Sequence, residues 1–142
     1  MAANTSPIFT LTPNNGRVRV TTANTTRDLS STTNAGLLFS AGTNGSRIDT
    51  IEFNHSASAQ TQASVAAVGR VWITTDNIGS NPKLKREIAL TLVTPSATAI
   101  GATFTMTFSP ALTLASGEFL WAAISATQTS GGYDVICSGG DF

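Results

Sequence analysis

Charged residues are scarce in this chain, and their scarcity disfavours several functions. Only 11% of the 142 residues are charged, and eight basic side chains balance eight acidic ones. A chain with no net charge has no electrostatic attraction for nucleic acid or for an anionic membrane, so we expect neither partner. The helix-forming residues Glu, Lys and Gln are also scarce, which disfavours a helical fold.

Cysteine and histidine are limited to one residue each, Cys137 and His55. One cysteine cannot form an intrachain disulfide, and we expect Cys137 to be a buried, unreactive thiol. One His and one Cys do not make a zinc site, and the loop at Asp76 lacks the acidic residues of a calcium loop. No serine lies in a Gly-x-Ser-x-Gly motif, so we expect His55 to be a solvated loop residue outside any Ser-His-Asp triad. We therefore predict no cofactor, no metal and no enzymatic activity.

Long apolar runs are absent as well. No segment approaches the about 20 apolar residues that a transmembrane helix needs. Residues 1–7 contain neither a basic segment nor an apolar core, so we predict no secretory signal and expect synthesis in a cytosol.

Hydroxyl-bearing residues supply the polarity instead, with 23 Thr and 15 Ser. Thr is β-branched and suits strands, whereas Ser suits turns, so the composition predicts an all-β fold. A chain of this length is expected to form one domain over residues 1–142 without help from a disulfide or a metal. In its Thr-, Asn- and Pro-rich start, residues 1–16, the alternation of Phe9 and Leu11 with threonines predicts a short edge strand or an extended arm, followed by a turn at 13–16.

The clearest pattern is a strand, a polar loop and a second strand over residues 69–92. In the first strand Val71 and Ile73 face one way, while Trp72 and its polar neighbours face the other. The loop at 76–82 is dense in turn formers. We predict a long hairpin whose apolar face is central to a β-sandwich. The apolar residues of its second strand are Leu84, Ile88, Leu90 and Leu92.

Alternating or apolar segments elsewhere predict six further strands. Asn44-Gly45 predicts a hairpin, because both residues tolerate positive φ, and Ser109-Pro110 is expected to end a strand. In the strand over 47–54 the buried face is ambiguous, although Ile51 and Phe53 make the better core pair. The other five strands are predicted at 17–22, 36–41, 103–108, 118–126 and 133–137. The predicted core contains Val71, Ile73, Ile88, Leu90, Phe104, Met106 and Phe108.

About eight short strands without helical crossovers predict antiparallel sheets. Eight strands in one small domain favour a two-sheet β-sandwich, with the jelly roll as the leading topology. An immunoglobulin-like sandwich is the alternative, although its Cys…Trp…Cys marker is absent.

Four residues are candidates for an interface with another protein. Trp72 is predicted on the polar face of its strand beside Arg70, and an aromatic residue next to an arginine is typical of a binding hot spot. Ile78 is an apolar residue in a polar loop. Phe142 comes soon after a glycine pair that could let it dock on a neighbour, or it could equally pack on its own sheet. A sugar-binding platform built from Trp72, Trp121 and Tyr133 is the competing interpretation.

Five short stretches of the sequence are relevant to a resemblance with known proteins: ANTSPIFTLTP (3–13), TANT (22–25), AGTNGSRID (41–49), VTPSAT (93–98) and GGDF (139–142). Together they resemble small proteins that tailed bacteriophages encode beside their capsid genes. The resemblance covers most of the chain but contains no catalytic motif.

The resemblance implies a structural virion protein of the head-decoration or cement type, which binds the major capsid protein and stabilises the shell. It also implies a β-sandwich body, a homotrimer and a location on the capsid surface after synthesis in the bacterial cytoplasm. The alternatives are a carbohydrate- or host-binding module of a tail or fibre, and a hydrolase.

Overall fold

The architecture is all-β, as the composition predicts. The computed structural model describes residues 12–142, and none of them lies in a helix. That range accordingly offers no long apolar helix that could cross a membrane. The eight strands are β1 (Thr12–Val20), β2 (Gly36–Ser40), β3 (Ser46–Ser56), β4 (Ala67–Thr74), β5 (Lys83–Leu90), β6 (Thr103–Leu114), β7 (Phe119–Ile124) and β8 (Gly132–Asp141).

The strands form two four-stranded antiparallel sheets that pack against each other. Sheet A has the order β1-β8-β3-β6, and sheet B has the order β2-β7-β4-β5. The first strand therefore pairs with the last, the second with the seventh, the third with the sixth and the fourth with the fifth. This order is that of a jelly roll, in which one long antiparallel ribbon is wrapped into two sheets. The jelly-roll prediction is confirmed, and the immunoglobulin-like alternative does not fit.

Only one connection between the described strands stays within a sheet. It joins β4 to β5 through residues 75–82, which confirms the predicted hairpin. The predicted hairpin at Asn44-Gly45 is wrong. The chain does turn there, with Gly45 at a φ of 91°, but β2 and β3 lie in different sheets. An Asn-Gly pair indicates that the chain reverses and does not specify which sheet the next strand joins.

The predicted turn at 13–16 is also wrong, because these residues lie within β1 and pair with 137–140 of β8. A side chain at Gly16 would overlap the carbonyl oxygen of Leu38 in the other sheet. The glycine thus permits a close approach between sheets and does not serve a turn. Residues 1–11 of the predicted arm lie outside the described residues.

Two further strand ends differ from prediction. β6 continues beyond Ser109-Pro110, whose peptide bond is cis, and its pairing with β3 skips residues 108–111. β8 continues through Gly139-Gly140, which pair with β1 and β3 and are not a flexible link. For β6 the pairing with β3 resumes at Leu112, beyond the proline, and for β8 it continues through the two glycines, although both residue types usually interrupt a strand.

A bulge settles which side of β3 is buried. The register with both neighbouring strands shifts between Ile48 and Thr50, so Asp49 is an extra residue. Because of that extra residue, Ile48 joins Ile51 and Phe53 on the inner face, and all three are 0% exposed.

The core lies between the two sheets and includes all seven residues predicted for it. Phe104 and Phe108 are among the members that remain partly exposed. Two apolar residues of the hairpin do not join it: Leu84 is 39% and Leu92 is 62% exposed. Leu84 turns outward because the pairing of β4 with β5 shifts between Val71 and Trp72. The fully buried predicted members are Val71, Leu90 and Met106, and the partly buried ones are Ile73, Ile88, Phe104 and Phe108.

Candidate interaction surface

The outer face of sheet B is covered by the loop between β1 and β2, residues 21–35, which we call the cover loop. Its residue Leu29 is buried and packs with Trp72, Trp121 and Ala123 in a second apolar cluster. The centre of sheet B is therefore apolar on both faces, with one face against sheet A and the other beneath the cover loop.

The prediction that Trp72 lies on a solvated face is wrong. Its side chain is 0% exposed, and its Nε1–H donates to the carbonyl oxygen of Arg27 at 3.0 Å. The predicted alternation along β4 is confirmed, because Val71 faces sheet A and Trp72 faces away. The sequence signal that was missed is Leu29, an isolated apolar residue in a polar stretch. Trp72 is not available to a partner in this conformation.

Arg70 is mostly buried beside Trp72 and takes part in an ion network. Its Nε donates to Glu87 at 2.9 Å, and Arg27 of the cover loop makes two bonds to the same carboxylate, at 2.7 and 3.1 Å. Hydrogen bonds from Arg27 and then Arg70 hold the pKa of Glu87 below its usual value, and Glu87 in turn raises the pKa of Arg27. The network fastens the cover loop to the sheet, and Arg70 is a structural residue.

Asn24 organises the cover loop from inside and was not identified from the sequence. It is buried, and its Nδ2 donates to the carbonyl oxygens of Ser31 and Thr33, each at 2.8 Å. Its Oδ1 accepts from the main chain and the hydroxyl of Thr26, and its own carbonyl accepts from Arg70 at 3.3 Å. The residues that make these contacts have no regular spacing in the sequence, so no sequence pattern predicts the contacts.

Ile78 is exposed, as its loop position predicts, with 71% of its side chain accessible. The loop that carries it is ordered by Asp76, whose Oδ1 accepts from the N–H groups of Ile78 and Ser80 at 3.1 and 2.8 Å. Hydrogen bonds from Ser80 come first among the causes that lower the pKa of Asp76. At the next residue, Gly79, any side chain would collide with Thr32 of the cover loop. Ile78 is thus an apolar side chain presented on a hydrogen-bonded loop.

A side chain at Gly79, the residue after Ile78, would lie 4.0 Å from the ring of Trp121 on the outer face of sheet B. Leu37, Trp121, Trp72 and Leu84 form one row across sheet B, and only its two outer members are substantially exposed. Beside Leu84 is a shallow, open groove of about 470 Å³. The groove is lined by Arg27, Asp28, Pro82, Lys83 and Leu84. We call Leu37, Ile78, Leu84 and this groove the sheet B rim.

Phe142 lies at the same end of the sandwich as Ile78, because successive connections alternate between the two ends. It is partly buried, and its N–H donates to the carbonyl oxygen of Gly45 at 3.2 Å. The preceding Asp141 accepts from Asn14 and Ser46, in β1 and β3, and its pKa is lowered by these bonds, that from Ser46 first. Phe142 is therefore packed on its own sheet, the second of the two placements open from the sequence.

The alternative sites predicted from the sequence are not assembled. Trp72, Trp121 and Tyr133 are all buried, so they do not form a sugar-binding platform. Across residues 12–142, no three His, Cys, Asp or Glu side chains cluster as metal ligands. Cys137 is fully buried, and desolvation raises the pKa of its thiol to about 12. A thiol with that pKa is protonated at neutral pH, so Cys137 is an unreactive core residue.

His55 differs from the prediction of a solvated loop residue. It lies near the end of β3, and its Nε2 is 3.1 Å from the carbonyl oxygen of Ser130. Its ring packs edge-on against Tyr133, with centroids 5.4 Å apart. A polar cleft of about 350 Å³ opens beside it, at the end of the sandwich opposite Ile78. The cleft is lined by His55, Ser56, Ala57, Ala59, Gln60, Pro95, Ser96, Ala99 and Gly101.

Comparisons with protein-family models, with curated proteins and with solved structures gave no match to this chain. The sheet B rim combines the exposed apolar side chains Leu37, Ile78 and Leu84 with the charged residues that line the groove beside Leu84. Its chemistry is apolar contact framed by Arg27, Asp28 and Lys83, which suits binding by surface complementarity.

Proposed function

We propose that this chain is a structural virion protein that attaches to the outside of a bacteriophage capsid, binds the major capsid protein and stabilises the shell. The observation that carries the proposal is Ile78, an exposed apolar side chain on an ordered loop at the sheet B rim. An ordered loop loses little conformational entropy on binding, so its apolar contact area adds to affinity. The resemblance of the sequence to phage decoration proteins supplies the capsid as the partner.

A homotrimer is the assembly we propose for the attached protein. Its physical support is the low charge of the chain, since a surface with few charges resists association poorly. The number three comes from the resemblance, because decoration proteins commonly lie on local three-fold axes. Three copies would present three equal surfaces, so weak individual contacts would sum to firm attachment.

The first test is the copy number of this chain in purified virions, measured by quantitative mass spectrometry. The proposal expects a copy number comparable with that of the major capsid protein. A few copies per particle would instead indicate a tail or fibre part, and complete absence would overturn a virion role.

The second test asks whether the sheet B rim makes the attachment. We expect Ile78→Asp to fold as the wild type does and to lose binding to capsids that lack this protein. Leu92→Asp is the matched control, because Leu92 is also exposed but lies in the connection at the opposite end. Equal binding by both variants would rule out the rim as the contact surface.

A carbohydrate- or host-binding role in a tail or fibre is the second candidate. The polar cleft beside His55 favours it, because Ser56, Gln60 and Ser96 place hydrogen-bonding side chains around one concave surface. Glycan-array binding that is lost in Gln60→Ala and kept in Ile78→Asp would support this role over decoration.

A further inference from the structure

The two open sides of the sandwich differ in how closely their edge strands approach. On one side, β1 and β2 are in contact: a side chain at Gly16 would overlap the Leu38 carbonyl, and one at Gly36 would overlap Val18. On the other side, the edge strands are β5 of sheet B and β6 of sheet A. Within residues 12–142, no strand pairs with the outer edge of β6.

The edge strands on that second side also differ in charge. β5 carries Lys83, Lys85 and Arg86 within its first four residues, and edge lysines are a common device against unwanted strand pairing. β6 is the longest strand of the fold, at 12 residues, and none of them is charged. An uncharged, unpaired strand edge is a template for pairing with another strand.

One contact identifies the backbone groups that β6 directs outward. Nη1 of Arg86 donates to the carbonyl oxygen of Thr107 at 2.7 Å, and its guanidinium lies 5.5 Å from the ring centre of Phe108. The Thr107 carbonyl therefore points away from β3. Since successive residues of a strand direct their N–H and C=O groups to opposite sides, Thr103 and Thr105 also direct theirs to the outer edge.

We propose that the outer edge of β6 is a pairing surface for β6 of a second copy of this chain, and that Arg86 opposes this pairing. In the paired form the strands run antiparallel about a two-fold axis at Thr105, with Thr103 opposite Thr107 of the partner. The two A sheets then join into one continuous sheet.

A second copy is the occupant because the edge is self-complementary. Thr105 would face its own copy, and Thr–Thr pairs are favourable across antiparallel strands. No charge on β6 is repelled by the same charge on its partner. Phe104 and Phe108, which are partly exposed beside this edge, would be covered by the added strand.

Arg86 opposes the pairing in two ways. It occupies the Thr107 carbonyl that the partner's Thr103 N–H would use. The two-fold axis also brings the basic β5 strands of both copies to the same side, where like charges repel. Wild-type pairing is therefore weak and strengthens when added salt screens the charges.

The test is the mass of Arg86→Met measured by light scattering over a concentration series. Methionine keeps an apolar cover over Phe108 and removes both the donor and the charge. We expect the dissociation constant of pairing to fall at least about tenfold, because a hydrogen bond to a charged group contributes about 1.5–3 kcal/mol. At concentrations at which the wild type does not pair, the mass of the variant should rise to at least twice that of the wild type.

A second substitution in the Arg86→Met background locates the contact. Thr105→Lys places two like charges opposite each other at the axis, so we expect it to abolish the doubling. Ser138→Lys puts the same charge on the same exposed face of sheet A but in the inner strand β8, and should leave the doubling intact. An unchanged mass for Arg86→Met, or doubling that survives Thr105→Lys, would overturn the proposal. Circular dichroism confirms that each variant is folded.

Discussion

Trp72 donates its indole N–H to the carbonyl oxygen of Arg27 across 3.0 Å, and this bond joins the strand β4 to the loop that covers it. The tryptophan is also the largest fully buried side chain of the fold. Because Trp72 is buried there, the second apolar cluster contributes to the stability of the fold in addition to the core between the sheets.

Replacing Trp72 should therefore destabilise the chain. We expect Trp72→Ala to lower the free energy of unfolding by about 3–5 kcal/mol through the cavity it leaves. Trp72→Phe keeps most of the apolar volume and should cost about 1–2 kcal/mol, because the Arg27 carbonyl loses its donor. Urea denaturation measures both. Ile78→Ala, at an exposed site, should change the value by no more than about 0.5 kcal/mol. A loss below about 1 kcal/mol for Trp72→Ala would mean that the cover loop does not close over it.

Asp141 joins three parts of sheet A, and we expect Asp141→Asn to destabilise it. The carboxylate accepts from Asn14 of β1 and from Ser46 of β3. An asparagine retains one acceptor oxygen and has no charge, so the expected loss is about 1–2 kcal/mol. Hydrogen exchange should be faster at the start of β1, near Asn14, and unchanged in β4. Exchange that increases equally in both sheets would contradict this local role.

The period-two alternation of apolar and polar residues predicted the strands and the core, because this alternation depends only on the pleat of a β-strand. Val71 and Met106 face the core for this reason. Bulges are the main cause of misplaced residues within strands. The register shift between Val71 and Trp72 turns Leu84 outward, and the extra residue Asp49 lets Ile48 face inward. No local composition distinguishes these positions from regular strand.

The cover loop could not be predicted, because its contacts are irregularly spaced, some within the loop and others to residues far away in the chain. Asn24 is held by carbonyl groups within the loop, whereas Arg27 bonds to Glu87, 60 residues away. Ordinary polar residues make these contacts, and their spacing follows no period. The sequence therefore indicated correctly that Trp72 faces away from the core, but not that a loop buries it there.

Phe53 and Phe108 offer a comparison between the centre of the core and its open side. Phe53 is 0% exposed, whereas Phe108 is partly exposed beside Arg86. We expect Phe53→Ala to lower the free energy of unfolding by about 3–5 kcal/mol and Phe108→Ala to lower it by about half of that. The loss is smaller for Phe108 because folding buries less of its apolar surface at the open side. The free energies of unfolding of the two variants, measured by thermal or urea unfolding, test this prediction. Equal losses would mean that the β5–β6 side is closed in solution.

The last prediction concerns acid, and it follows from Glu87. Hydrogen bonds from Arg27 and then Arg70, together with their charges, lower the pKa of this carboxyl in the folded chain. The folded chain thus binds a proton at Glu87 less readily than the unfolded chain does. The network consequently stabilises the fold above the ordinary glutamate pKa, and the stabilisation is lost as the pH falls through the lowered value.

We expect Glu87→Gln to be less stable than the wild type at neutral pH, and the difference to disappear as the solution is acidified through that range. Arg27→Met should remove part of the same acid dependence, because Arg27 is the largest cause of the lowered pKa. Some acid dependence remains in both variants, since the pKa of Asp141 is also lowered. Urea midpoints measured from neutral to acid pH test the prediction. If Glu87→Gln follows the wild-type pH curve at a constant offset, the ion network does not hold the cover loop in solution.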